Sequence, residues 1–227
     1  LLASPRIDPN AGDRTGLTPL HYIAFLQDSI DVTLSPGNSE ITNKAHDILI
    51  VRCVESLRVQ TREAESAKIM LLNLLLQHPK IDVNIIDSSG NTPLIFAASS
   101  GNLTMVSLLI NRGASIQSST MNGTTPLHAA CQEGHYKIVQ FLIDLGAQVN
   151  VRDNLYVHYY IYTNLNYIKP VLILHHHVSG DTPLHFAAKA NNKNIVAALQ
   201  RAGAVMNLPN RQGRTPVDLT TSMDVRW

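Results

Sequence analysis

The sequence predicts an all-α solenoid of stacked helix–turn–helix units, joined by β-hairpin-like turns and interrupted by two inserts. Three observations predict it. Thr92-Pro93-Leu94 and Thr125-Pro126-Leu127 lie 33 residues apart, as do Thr182-Pro183-Leu184 and Thr215-Pro216-Val217. Small residues follow the first two motifs, at Ala97-Ala98 and Ala129-Ala130. A second apolar run then closes on Gly113-Ala114 or Gly146-Ala147. A fixed period of this length marks small units that bury their apolar faces against their neighbours, not one globular core.

Residues 120–152 make the clearest unit. Gly123 supplies the unrestricted backbone of a tight turn. Thr125 caps the next helix, and Pro126 suits its first position, where an N–H is not needed. Leu127, Ala129 and Ala130 predict a short helix whose small side chains admit a close neighbour, and Gly134 ends it. Ile138, Val139, Phe141, Leu142 and Ile143 follow at helical spacing, with Gly146 as the C-terminal stop.

This unit resembles the ankyrin repeat through Thr125-Pro126-Leu127-His128, Gly134-His135, the Ile138-Val139 pair and the tail Gly146-Ala147-Gln148-Val149-Asn150. Residues 87–119 repeat the pattern, with Ile95 in place of the motif histidine. The resemblance covers about two-thirds of the chain and implies that His21, His128 and His185 tie each short helix to the adjacent turn.

Two spacings depart from the period. Thr125 to Thr182 is 57 residues, and removing residues 155–178 restores an ordinary turn. Thr18 to Thr92 is 74, which leaves 41 extra residues at about 27–67. The expected organisation is therefore 1–12 as the end of a preceding repeat, 13–86 as a repeat with a helical insert, and 87–119 and 120–152 as ordinary repeats. Residues 153–209 follow as a repeat with the 24-residue insert, and 210–227 as a partial one. The segment reads as an excerpt of a longer protein, with ends expected to fray.

The first insert lacks Gly and Pro and is apolar enough for one or two helices, read either as a docking surface or, preferably, as an elaboration packed on the flank. The second holds five of the seven tyrosines and no Gly, Asp or Glu. A β-prone finger, a disordered loop and a gene-model artefact all fit that composition.

A net charge of +1, with 18 basic and 17 acidic residues well mixed, argues against nucleic acid as a partner. No apolar stretch reaches membrane-spanning length, so no direct membrane insertion is expected in this segment. Cys53 and Cys131 form no metal-type pair, which points to an intracellular, cytoplasmic setting. His175-His176-His177 invites a zinc reading, but neighbours on a strand face opposite sides and no Cys lies near. No metal or cofactor is assigned. The glycines fall singly, without a phosphate loop, and no nucleophile comes with a base, so no enzyme is expected.

The resemblance implies non-catalytic recognition of a protein or peptide partner on the concave side. It equally admits the cytoplasmic ankyrin region of a membrane channel, or the substrate-targeting region of a larger enzyme such as a kinase or ubiquitin ligase. Carried over by position, the contact candidates are Arg14, Thr15, Leu17 and Phe25, then Ser88, Ser89, Asn91, Ser99 and Ser100. Met121, Asn122, Thr124, Gln132 and Glu133 come next, then Asn154, Asp181, Lys189 and Ala190, and finally Arg211, Gln212 and Arg214. The resemblance also offers Asn84, Asn150 and Asn207 as sites for an asparaginyl hydroxylase, against a simpler role in tying the turn. Oligomeric state is not legible.

Overall fold

The computed structural model describes residues 8–25, 70–154 and 179–220. Among these the ordered elements are short helices, and no strand occurs. Helix α1 spans Pro19–Phe25, and a helical stretch covers residues 70–76. The pairs that follow are α2 Pro93–Ser100 with α3 Leu103–Asn111, α4 Pro126–Glu133 with α5 Tyr136–Asp144, and α6 Pro183–Lys189 with α7 Lys193–Arg201. A 3-10 turn, Val217–Leu219, begins the last unit. Both predicted inserts, the histidine run, Cys53 and the two chain ends lie outside the described residues.

Helix starts follow the Thr-Pro signal. Thr92, Thr125 and Thr182 are the N-caps of α2, α4 and α6, in extended backbone, with proline at the first turn. Helix ends follow the left-handed signal. Gly101 and Gly134 close α2 and α4 at φ 82° and 80°. The third equivalent position holds Asn191 at φ 50°, the one non-glycine residue in that region among those described. Asn tolerates the left-handed conformation better than other side chains, which explains a unit that keeps the fold without the expected glycine.

The first helix of each pair stacks on the first helix of the next, α1 on α2, α2 on α4 and α4 on α6. Leu20, Leu94, Leu127 and Leu184 are buried at equivalent positions, beside Ala24, Ala98, Cys131 and Ala188. The second helices add Met105, Val106 and Leu109, then Ile138, Val139 and Leu142, then Ile195, Val196 and Leu199. All these belong to one core running through the stack, Ala188 touching its end. Cys131 is a free, buried thiol in the place that alanine takes elsewhere, so it packs as a small apolar residue and burial pushes its thiol far up.

Candidate recognition surface

Every unit opens with a hairpin closed by one backbone bond between its first and fifth residues. Asp13 N–H donates to Leu17 O at 3.0 Å, Asp87 to Asn91 at 3.0 Å and Thr120 to Thr124 at 3.0 Å. Asn210 donates to Arg214 at 2.7 Å. In the fourth hairpin Asp153 N–H reaches Asp181 O at 2.8 Å, across the 24-residue insertion.

The first side chain of each hairpin caps its own loop. Asp87 Oδ1 accepts from Ser89 and Asn91 N–H, both at 2.8 Å, and Asn210 Oδ1 accepts from Gln212 and Arg214 N–H at 2.9 and 3.0 Å. Asp13 and Thr120 do the same. This is the Asx-turn chemistry of short polar side chains. Asp, Asp, Thr, Asp and Asn recurring at the repeat spacing was the signal that could have found it.

The tips are then laddered to one another. Ser88 N–H donates to Thr15 O (2.8 Å), Met121 to Ser89 (3.0 Å), Asn154 to Asn122 (2.6 Å) and Arg211 to Ser179 (3.0 Å). Each bond joins the second residue of one hairpin to the third residue of the hairpin before it. Ser179 fills that third position in the fourth hairpin, so the insertion leaves after Asn154 and returns at Ser179, at the tip itself.

Buried histidines lock the inner helices to this ladder. Thr18, Thr125 and Thr182 N–H donate to Nδ1 of His21, His128 and His185 at 3.1, 3.2 and 3.1 Å. An occupied Nδ1 lone pair puts the proton on Nε2. Nε2–H then donates to the closing carbonyl of the next hairpin: His21 to Asn91 O (3.0 Å), His128 to Asp181 O (3.3 Å) and His185 to Arg214 O (3.2 Å). Burial is the main reason all three imidazoles lie below the ordinary 6.5, with His128 at about 4. His21 and His128 also meet the edges of Phe96 and Phe186. The architectural role that the resemblance implied is what the geometry provides. Ile95 makes no such tie.

The contact candidates fall into two groups. Arg14, Thr15, Ser88, Ser89, Met121, Gln132, Glu133, Lys189, Ala190, Arg211, Gln212 and Arg214 are exposed, Met121 to 69% and Phe25 to 54%. Leu17, Asn91, Ser99, Ser100, Asn122, Thr124 and Asn154 are half-buried. Ser99 and Ser100 also serve the scaffold, since Ser99 O is bonded to His135 Nε2 at 2.8 Å and Ser100 Oγ donates to Ala24 O at 3.0 Å.

Asp181 departs from the expectation of an exposed contact. Its side chain is 1% exposed and accepts from Asn210 Nδ2 at 2.7 Å and from the Lys189 ammonium. Burial pushes this carboxyl up, but the hydrogen bonds and charge of Lys189 and Asn210 outweigh it and hold the group below 3.8. Asp153 beside it is also buried, accepting from Ser179 Oγ at 2.7 Å, and burial leaves its carboxyl raised. The interior of the turn stack, not its surface, therefore uses Asp181. Single-sequence reading missed this because the polar partners are Ser179 and Asn210, 26 and 29 residues from the carboxylates they serve.

The tail asparagines act on the opposite edge. Asn84 Nδ2 donates to Gly113 O (3.1 Å) while its Oδ1 accepts from Ser115 N–H (2.8 Å). Asn150 repeats this with Gly203 O (3.1 Å) and Val205 N–H (2.9 Å). Asn207 is exposed and makes no such pair among the described residues. A hydroxyl added at Asn84 or Asn150 would therefore sit on a side chain that already bridges two units.

Among the described residues no helix is long and apolar enough to cross a membrane, and no group of three or more His, Cys, Asp or Glu could hold a metal ion. Comparison with protein families gives two matches. Residues 63–153 match the family model for ankyrin repeats (3 copies), and residues 179–211 match that for a single ankyrin repeat. Together the matches cover more than half of the 227 residues, and the gap between them, 154–178, coincides with the insertion at the fourth tip.

Proposed function

This chain belongs to the ankyrin-repeat family, and from that premise we propose that it is a non-catalytic recognition surface, taking a protein or an extended peptide along its hairpin tips and inner-helix ends, the concave side of the array. Ankyrin repeats are in general protein–protein interaction modules, and their domains are typically non-catalytic. The observation that supports the reading most is the division of labour within each hairpin. Backbone atoms and the first side chain are committed to the turn and the ladder, whereas Arg14, Ser88, Met121 and Arg211 lead exposed side chains away from it. Such positions change without cost to the stack, which is what a specificity surface requires.

Gln132 and Glu133 supply the most accessible polar pair at an inner-helix end, bonded to each other at 3.0 Å. The test is affinity enrichment with the chain and with Gln132→Ala/Glu133→Ala and Met121→Ala variants, compared by quantitative mass spectrometry. A partner held by this face is depleted on the variants while their melting temperature stays unchanged. Equal retention of every captured protein would move recognition to another surface.

A further inference from the structure

The last tip differs from the others in carrying two cations. Arg211 and Arg214 lie on the hairpin Asn210–Arg214, and both are exposed. The stem of Arg211 rests on the buried Gly180, where a Cβ would come within 2.7 Å of Arg211 Cγ. Its guanidinium donates to Asn154 Oδ1 at 3.1 Å, and the Arg214 guanidinium donates to Gln212 Oε1.

These acceptors are neutral amides. They orient the two guanidinium groups without cancelling their charge, and no carboxylate among the described residues pairs with either. The nearest cation on the same face, Lys189, is already matched by Asp181. A guanidinium fixed by one N–H keeps other donors in a planar fork whose natural complement is a carboxylate bound through both oxygens. A nucleic-acid backbone would need a stripe of cations, and the preceding tips offer Ser88, Ser89, Met121 and Asn122 instead.

We infer that Arg211 and Arg214 form a carboxylate-binding subsite for an Asp or Glu side chain of a peptide lying along the tips, with Asn154 and Gly180 as positioning residues. The inference rests on the recognition function proposed above and adds the chemistry of one contact. It also fixes which end of the face carries that contact.

A displayed library of random peptides, fused at their C-termini so that no free terminal carboxylate is present, is panned against the full chain and against Arg211→Gln/Arg214→Gln. The wild-type chain selects peptides enriched in Asp or Glu. Synthetic copies with amidated C-termini bind the double variant about tenfold more weakly and lose affinity as salt rises. Asn154→Ala keeps both charges but frees Arg211, so it weakens the same peptides by about threefold. It carries the test alone if the double variant does not fold. Peptides selected without acidic enrichment, or bound equally by the variants, would overturn the subsite and leave the recognition function standing. Failure of either chain to select any peptide would remove both. An oligothymidylate that displaces the acidic peptides at equal concentration would reassign the arginines to nucleic acid.

Discussion

His128 Nε2–H donates to the main-chain carbonyl of Asp181, 3.3 Å away and 53 residues further along the chain. That bond is the counterpart of His185 to Arg214, 29 residues apart, and the difference in separation is the 24 residues inserted at the fourth tip. The stack is therefore in register on both sides of the insertion.

Excision follows from that register. Joining Asn154 directly to Ser179 preserves Asp153 N–H to Asp181 O, Asn154 to Asn122 and Arg211 to Ser179. It also removes a long loop whose closure costs entropy. The shortened chain should fold and gain about 1–3 kcal/mol in urea denaturation. Loss of cooperative unfolding would mean that the insertion supports the stack.

Acid should destabilise the array before any carboxylate that is held low becomes protonated. The histidines are buried neutral, with pKa values below the 6.5 of the unfolded chain. Their stabilising contribution is complete above 6.5 and is lost as pH falls from there towards about 4, because the unfolded chain takes up protons that the folded one refuses. For His128 the loss is on the order of 3 kcal/mol. Asp153 opposes the trend, since its raised carboxyl regains stability on protonation. Asp13 and Asp181, lowered, act only below 3.8. Chemical denaturation between pH 7 and pH 4 reads the slope, and His128→Ile, the residue found at position 95, should flatten it.

Gly101 answers two demands at once. Its φ is 82°, and a Cβ there would fall 2.6 Å from the His135 imidazole, which is itself bonded to Ser99 O. Gly113 has φ 87° but open space around it. Gly113→Ala should cost about 1 kcal/mol for backbone strain alone. Gly101→Ala should cost more, about 2–3 kcal/mol, as the histidine is displaced. Thermal melts of the two variants separate strain from collision, and equal shifts would dismiss the contact.

Asn150 bridges two units through both amide atoms, to Gly203 O and Val205 N–H, whereas Asn207 has no such bridge among the described residues. Asn150→Ala should lose about 1–3 kcal/mol, because two backbone groups lose their partner. Asn207→Ala should stay within about 0.5 kcal/mol. Urea titration of both is the measurement, and similar losses would show that the bridge carries no weight.

Much of this was legible because repeats write local instructions. Thr125 capping α4, Pro126 at its first position and Gly134 at its end act within a few residues, and helix boundaries obey such signals directly. Asn191 escaped the same logic because it performs glycine's task with a side chain. Asp181 escaped because position alone placed it at a tip, and burial was set by Asn210 and Lys189 meeting it from other turns.

The sequence by itself determined the period, the caps and the identity of the family, since each depends on residues close together in the chain. Only the tertiary structure decided which carbonyl each histidine serves, which carboxylate is hidden and which arginines keep their charge free. Those outcomes depend on hydrogen bonds and burial between hairpins about a repeat or more apart, where geometry and desolvation, not local propensity, set the energy.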